Sequence, residues 1–77
     1  MDYAQLVRSS IARRTYVRVE QVRDDTELGK LALDSFALVE LLIDLEQTHG
    51  IRLLVNDLND LRTVRDLTRA VEARAAA

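Results

Sequence analysis

The chain has no cysteine and no proline, and only two glycines, one histidine and three aromatic residues in 77 positions. Without cysteine there is no disulfide, no thiolate zinc site and no thiol nucleophile. A single histidine then leaves little but carboxylates for a metal. The two glycines, Gly29 and Gly50, stand far apart, so no glycine-rich phosphate loop exists. No apolar run approaches the roughly 20 residues of a membrane span. The opening Met1-Asp2-Tyr3-Ala4-Gln5 lacks the basic-then-apolar order of a signal peptide, so a soluble cytoplasmic protein is expected. What the chain does have is apolar content, 48% of its residues, well above the disordered range. At this length a single domain over residues 1–77 is expected, with a small core that buries about 60% of the unfolded surface.

The net charge of −2 is unevenly spread. Residues 1–23 carry five Arg against Asp2 and Glu20, a balance of +3. Residues 24–61 carry nine acids against Lys30 and Arg52, a balance of −7. Residues 62–77 return to +2. An acidic middle of this kind argues against a nucleic-acid face there and suits a basic partner.

Tyr3, Leu6, Val7, Ser10 and Ile11 recur at helical spacing, predicting a helix over 2–16. Val17 and Val19 alternate as in a strand, but so short a chain offers no partner strand. Residues 17–34 are therefore expected to form an ordered, mainly irregular loop. Leu28, Leu31 and Leu33 would pin it to the core, and Gly29 would provide a turn with positive φ. Residues 35–49 give the strongest helical pattern. Phe36, Val39, Leu42 and Ile43 form one apolar row, widened by Leu38, Leu41 and Leu45, which predicts a helix mostly surrounded by others. Asp34 or Ser35 can cap its start, and Gly50 stops it. Asn56 to Leu61 fit one short helical turn. Thr63 and Asp66 stand at capping-box spacing before a last helix whose inward residues are Val64, Leu67 and Val71. The tail Ala75-Ala76-Ala77 is expected to fray. The fold class is all-α: a small bundle of three main helices and one short one.

Few arrangements here can carry chemistry. Ser35 with His49 as its base fails on distance, because fourteen residues of continuous helix span about 21 Å and a base must sit within about 3 Å of its proton. Asn56-Asp57-Leu58-Asn59-Asp60 is acidic but lacks the spacing, glycine and distal Glu of a calcium loop. A helix-turn-helix with Arg62, Arg65 and Arg69 facing phosphates is opposed by the acidic centre. No catalytic residue and no metal site are expected. Ser35 remains, at the start of an acidic-faced helix after a long loop. On composition alone it is more simply a helix cap.

Leu33-Asp34-Ser35-Phe36 followed by Leu38-Val39-Glu40-Leu41-Leu42 resembles the attachment motif of acyl and peptidyl carrier proteins. The likeness continues through Leu45-Glu46, His49-Gly50-Ile51 and Thr63-Val64-Arg65-Asp66-Leu67, from about Asp24 to Val71. Asp-Ser alone is a weak signal; four matches in order at the proper spacing are a strong one. The resemblance implies a four-helix carrier fold with a short third helix, and a carrier rather than an enzyme. It implies that Ser35 receives phosphopantetheine from CoA through a separate phosphopantetheinyl transferase. Asp34 would help position that transfer, and Phe36 would fill the hydrophobic position after it. The arm would hold cargo as a thioester between an acyl- or aminoacyl-loading enzyme and a downstream synthase or transferase. Glu40 and Asp44, four apart on one helix face, would be presented to those partners, and the carrier would act as a monomer, with neither nucleic acid nor membrane as partner. Two departures stand out: Ala32 lies where many members have Gly, and Phe36 where Leu is common. Asp-Ser-Phe is similar to D-alanyl carriers and to stand-alone carriers of antibiotic pathways, which implies polyketide, nonribosomal peptide or related biosynthesis over an ordinary fatty-acid role. The alternative is an unmodified helical interaction module in which Ser35 is only a cap.

Overall fold

In a computed structural model, residues 1–75 are described, with the backbone alone at 55–57. Three α-helices dominate: α1 (Tyr3–Thr15), α2 (Ser35–His49) and α3 (Val64–Ala75). Short 3-10 turns lie at Val19–Gln21, Leu28–Leu31 and Val55–Asp60. The last of these is the short third helix implied by the sequence. The expected fraying at Ala76 and Ala77 lies outside the described residues.

Side-chain caps open all three α-helices, and left-handed residues close α1 and α2. Asp2 Oδ1 accepts from the Gln5 amide at 3.1 Å and opens α1. Tyr16 closes it at φ +60°, its amide donating to the Ala12 carbonyl at 2.9 Å. Gly50, at φ +69°, closes α2 as anticipated: its amide donates to Glu46 O at 2.9 Å and that of Ile51 to Leu45 O at 3.3 Å. The capping box at α3 forms in full. Thr63 Oγ1 accepts from the Asp66 amide at 3.3 Å, and Asp66 Oδ2 accepts from the amides of Thr63 and Arg62, each at 3.1 Å. Those two main-chain donors hold the Asp66 carboxyl below its ordinary value of 3.8.

The core gathers Val7 and Ile11 of α1, four leucines of α2, and Val64, Leu67 and Val71 of α3. Leu28 and Leu33 are buried and Leu31 packs at the core's edge, so the loop is pinned as expected. Val22, also buried, is an anchor the alternating pattern did not reveal. The loop forms no strand among the described residues, yet it does find a partner. Glu27 and Thr63 make a single antiparallel bridge, with the Leu28 amide donating to Arg62 O at 2.8 Å. The amides of Val64 and Arg65 donate to Thr26 O at 3.0 Å and Asp24 O at 2.9 Å. First-turn amides have no partner inside their own helix, so the loop's carbonyls supply what α3 lacks, across nearly forty positions of chain.

Two expectations are corrected. Positive φ in the loop falls on Ala32, at +59°, and not on Gly29. The buried row of α2 is Leu38, Leu41, Leu42 and Leu45, while Phe36, Val39 and Ile43 stand 74%, 37% and 49% exposed. A bundle of three helices covers one side of α2 only, so an apolar pattern nearly all around the helix overstates how much of it is enclosed.

Candidate functional site

Ser35 is the first residue of α2 and is exposed. The chain reaches it through a tight return. Ala32 takes the left-handed conformation, its amide donating to Gly29 O at 3.2 Å, and the Leu33 amide donates to Leu28 O at 3.1 Å. With Leu28 and Leu33 both sunk in the core, the backbone at Asp34 is held in place.

The choice of cap left open by the sequence is resolved. Asp34 is the N-cap, its Oδ1 accepting from the Ala37 amide at 2.9 Å, and its carbonyl accepts from the Leu38 amide at 2.9 Å. Ser35 lies one residue inside the helix, and its hydroxyl is not needed to cap it. The bland role for Ser35 is thereby taken by its neighbour. An exposed hydroxyl beside first-turn amides also sits in the favourable end of the helix dipole, which suits an attached phosphate.

Beside Ser35 runs an open groove of about 490 Å³. Its lining is mixed: Leu28, Leu33, Leu38, Leu58 and Leu61 stand beside the polar Glu27, Asp34 and Arg62. Leu58 and Leu61 were missed as site residues. Their signal was an apolar pair three apart in an otherwise acidic stretch, a pattern that reads equally well as plain core.

The five expected site residues divide into two groups. Asp34 and Ser35 line the groove. Phe36, Glu40 and Asp44 follow at intervals of four along the outer side of α2, so they stack one turn above another. Phe36 and Glu40 are exposed, whereas Asp44 is half-buried and pairs with Arg13 of α1 at 3.7 Å. His49 ends the same continuous helix, about 21 Å from Ser35. No group of carboxylate and imidazole side chains among the described residues can hold a metal ion. No helix among them is long and apolar enough to cross a membrane.

Comparison with known proteins agrees with this geometry. The sequence profile of the phosphopantetheine attachment site matches residues 5–71. The chain belongs to that family. It is 35% identical over 69 residues to nodulation protein F of Rhizobium leguminosarum bv. viciae, across 90% of this chain and 75% of that protein. To nodulation protein F of the biovar trifolii it is 32% identical over 68 residues, across 88% and 74%. Its fold is similar to that of a mupirocin didomain ACP, with a TM-score of 0.80 at 20% sequence identity, covering 95% of this chain and 40% of that one. This chain is thus a non-catalytic carrier whose cofactor is covalently attached phosphopantetheine. The residues present fit such a group: an exposed hydroxyl relieved of capping, helix-start amides for a phosphodiester, and an adjoining open groove of mixed lining. The arm supplies the thiol that a chain without cysteine cannot.

Proposed function

We propose that Ser35 carries the arm of this carrier domain. In this reading it works in the cytoplasm in polyketide, nonribosomal peptide or related biosynthesis. The observation that carries the reading is the Asp34–Ala37 cap, which leaves an exposed Ser35 hydroxyl at the mouth of the groove. In the transfer, Ser35 Oγ bonds to the phosphorus that bears the pantetheine of CoA and loses its proton. The bond from that phosphorus to the nucleotide breaks, releasing 3′,5′-ADP. Asp34 holds the first turn of α2 in place beside the reacting hydroxyl. Cargo then rides as a thioester on the thiol of the arm.

The outer row of α2 is proposed as the face partners read: Phe36 with Val39 and Ile43 for apolar contact, Glu40 and Asp44 for charge. Exposed apolar residues clustered on one helix face are unusual unless something covers them. A charged rim speeds encounter and leaves affinity modest, as a shuttle requires. The partners in this reading are the phosphopantetheinyl transferase, a loading enzyme and a downstream synthase or transferase. Intact mass after incubation with CoA and a broad-specificity transferase tests the attachment. One phosphopantetheine is expected on the wild type and none on Ser35→Ala, with circular dichroism unchanged.

A further inference from the structure

One acid of the α2 row, Asp44, is answered from inside the molecule. Arg13 Nη2 lies 3.7 Å from Asp44 Oδ2, and Arg14 Nη2 donates to the main-chain oxygen of Glu40 at 3.1 Å. Both guanidinium groups come from the last turn of α1, and they reach the two positions of α2 where its outer face carries acid. Asp44 Oδ1 meanwhile accepts from Thr48 Oγ1 at 3.3 Å. Both oxygens of Asp44 are therefore engaged, one by a neutral hydroxyl and one by a cation. A partner's lysine or arginine that seeks Asp44 meets the Arg13 cation already beside it and is repelled by it. The pair is open to exchange, since the Arg13 side chain is 63% exposed and exposed ion pairs are weak and hydrated.

We propose that Arg13 is a specificity-determining residue, competing from within the chain with the partner's cation for Asp44 and so penalising partners that dock by charge alone. The inference rests on the reading of α2 as the docking face and of Ser35 as the modified residue. It follows that a productive partner offers an apolar surface to Phe36, Val39 and Ile43 together with a cation placed to replace Arg13. Like-for-like cations crowded at one carboxylate discriminate by repulsion, which is how interfaces reject partners as well as select them.

The test is transfer of phosphopantetheine from CoA by a broad-specificity transferase to the wild type, Arg13→Ala, Arg13→Gln and Arg13→Lys, at low and high ionic strength. Removing the competitor is expected to raise kcat/KM about two- to five-fold at low salt, through KM, with the gain lost at high salt. Arg13→Lys, which keeps a competing cation, should stay near the wild type. A rate equal to or below the wild type for both neutral variants at low salt, with unchanged circular dichroism and Tm, overturns the proposal. So does a gain that persists undiminished in salt, because loosened packing and not charge would then be its source. If none of the four proteins gains mass, the reading of Ser35 fails first, and the inference falls with it.

Discussion

At the scale of the residue, the site depends on two neighbours with different duties. Asp34 contributes a cap hydrogen bond, whereas Ser35 contributes a hydroxyl the fold does not use. Asp34→Ala should therefore lower stability by about 1 kcal/mol, while Ser35→Ala should stay within about 0.5 kcal/mol, as for most surface changes. Urea unfolding of the two variants checks this; a larger loss for Ser35→Ala would return Ser35 to the role of cap. Ala32 raises a second issue. At φ +59° its methyl group opposes the left-handed backbone that the turn before Ser35 requires. The departure from glycine at this position is visible in the sequence, but its consequence is not, because Gly29, three residues earlier, is the residue that would take positive φ most easily. Ala32→Gly should raise stability by about 0.5–1 kcal/mol, the relief of strain exceeding the added freedom of the unfolded chain. In a domain of this size that is a Tm increase of about 2–8 °C. A lower Tm would mean that the Ala32 methyl makes a contact worth more than the strain.

At the scale of the element, what was legible depended on how local the cause was. The ends of α2 and the box of α3 rest on residues within a few positions of one another, and the spacing of Asp34, Gly50, Thr63 and Asp66 announced them. The pairing of the loop with the start of α3 was not legible, since Thr26 and Val64 meet only in the folded chain. Neither was the true buried row of α2, because Leu and Val on both sides make the pattern nearly symmetric. The groove suffered the same fate: Leu58 and Leu61 gain meaning only once they face Leu33 and Leu38. The α3 box carries a pH dependence. Main-chain donors from Arg62 and Thr63 lower the Asp66 pKa in the fold, so its stabilisation is present above the unfolded value and is lost as pH falls through the folded one. The Tm of the wild type should exceed that of Asp66→Ala at neutral pH, and the gap should shrink below about pH 4. A gap that stays constant down to strongly acid pH would show that charge on Asp66 does not matter to the cap.

At the scale of the whole molecule, the order basic, acidic, basic along the chain becomes an arrangement in space. The Arg-rich end of α1 lies against α2, and the Arg13–Asp44 pair balances part of the charge seen in the sequence internally. Segregation of charge was legible in one dimension; its partial cancellation required α1 and α2 to be packed side by side. Enough acid remains exposed at Glu40 for steering by a basic partner. Replacing Glu40→Gln together with Asp44→Asn should slow transferase modification about two- to ten-fold at low ionic strength, and the difference should close as salt is added. Equal rates at low salt would leave the acidic row as a solubility feature and would place recognition on Phe36, Val39 and Ile43 alone.

The central claim is that Ser35 bears the arm, and the most direct measurement is peptide mapping by mass spectrometry after modification with CoA. Every phosphopantetheine should be found on the peptide containing Ser35, one per chain, with Ser35→Ala unmodified and still helical. An arm on Ser9 or Ser10, with Ser35 bare, would contradict it.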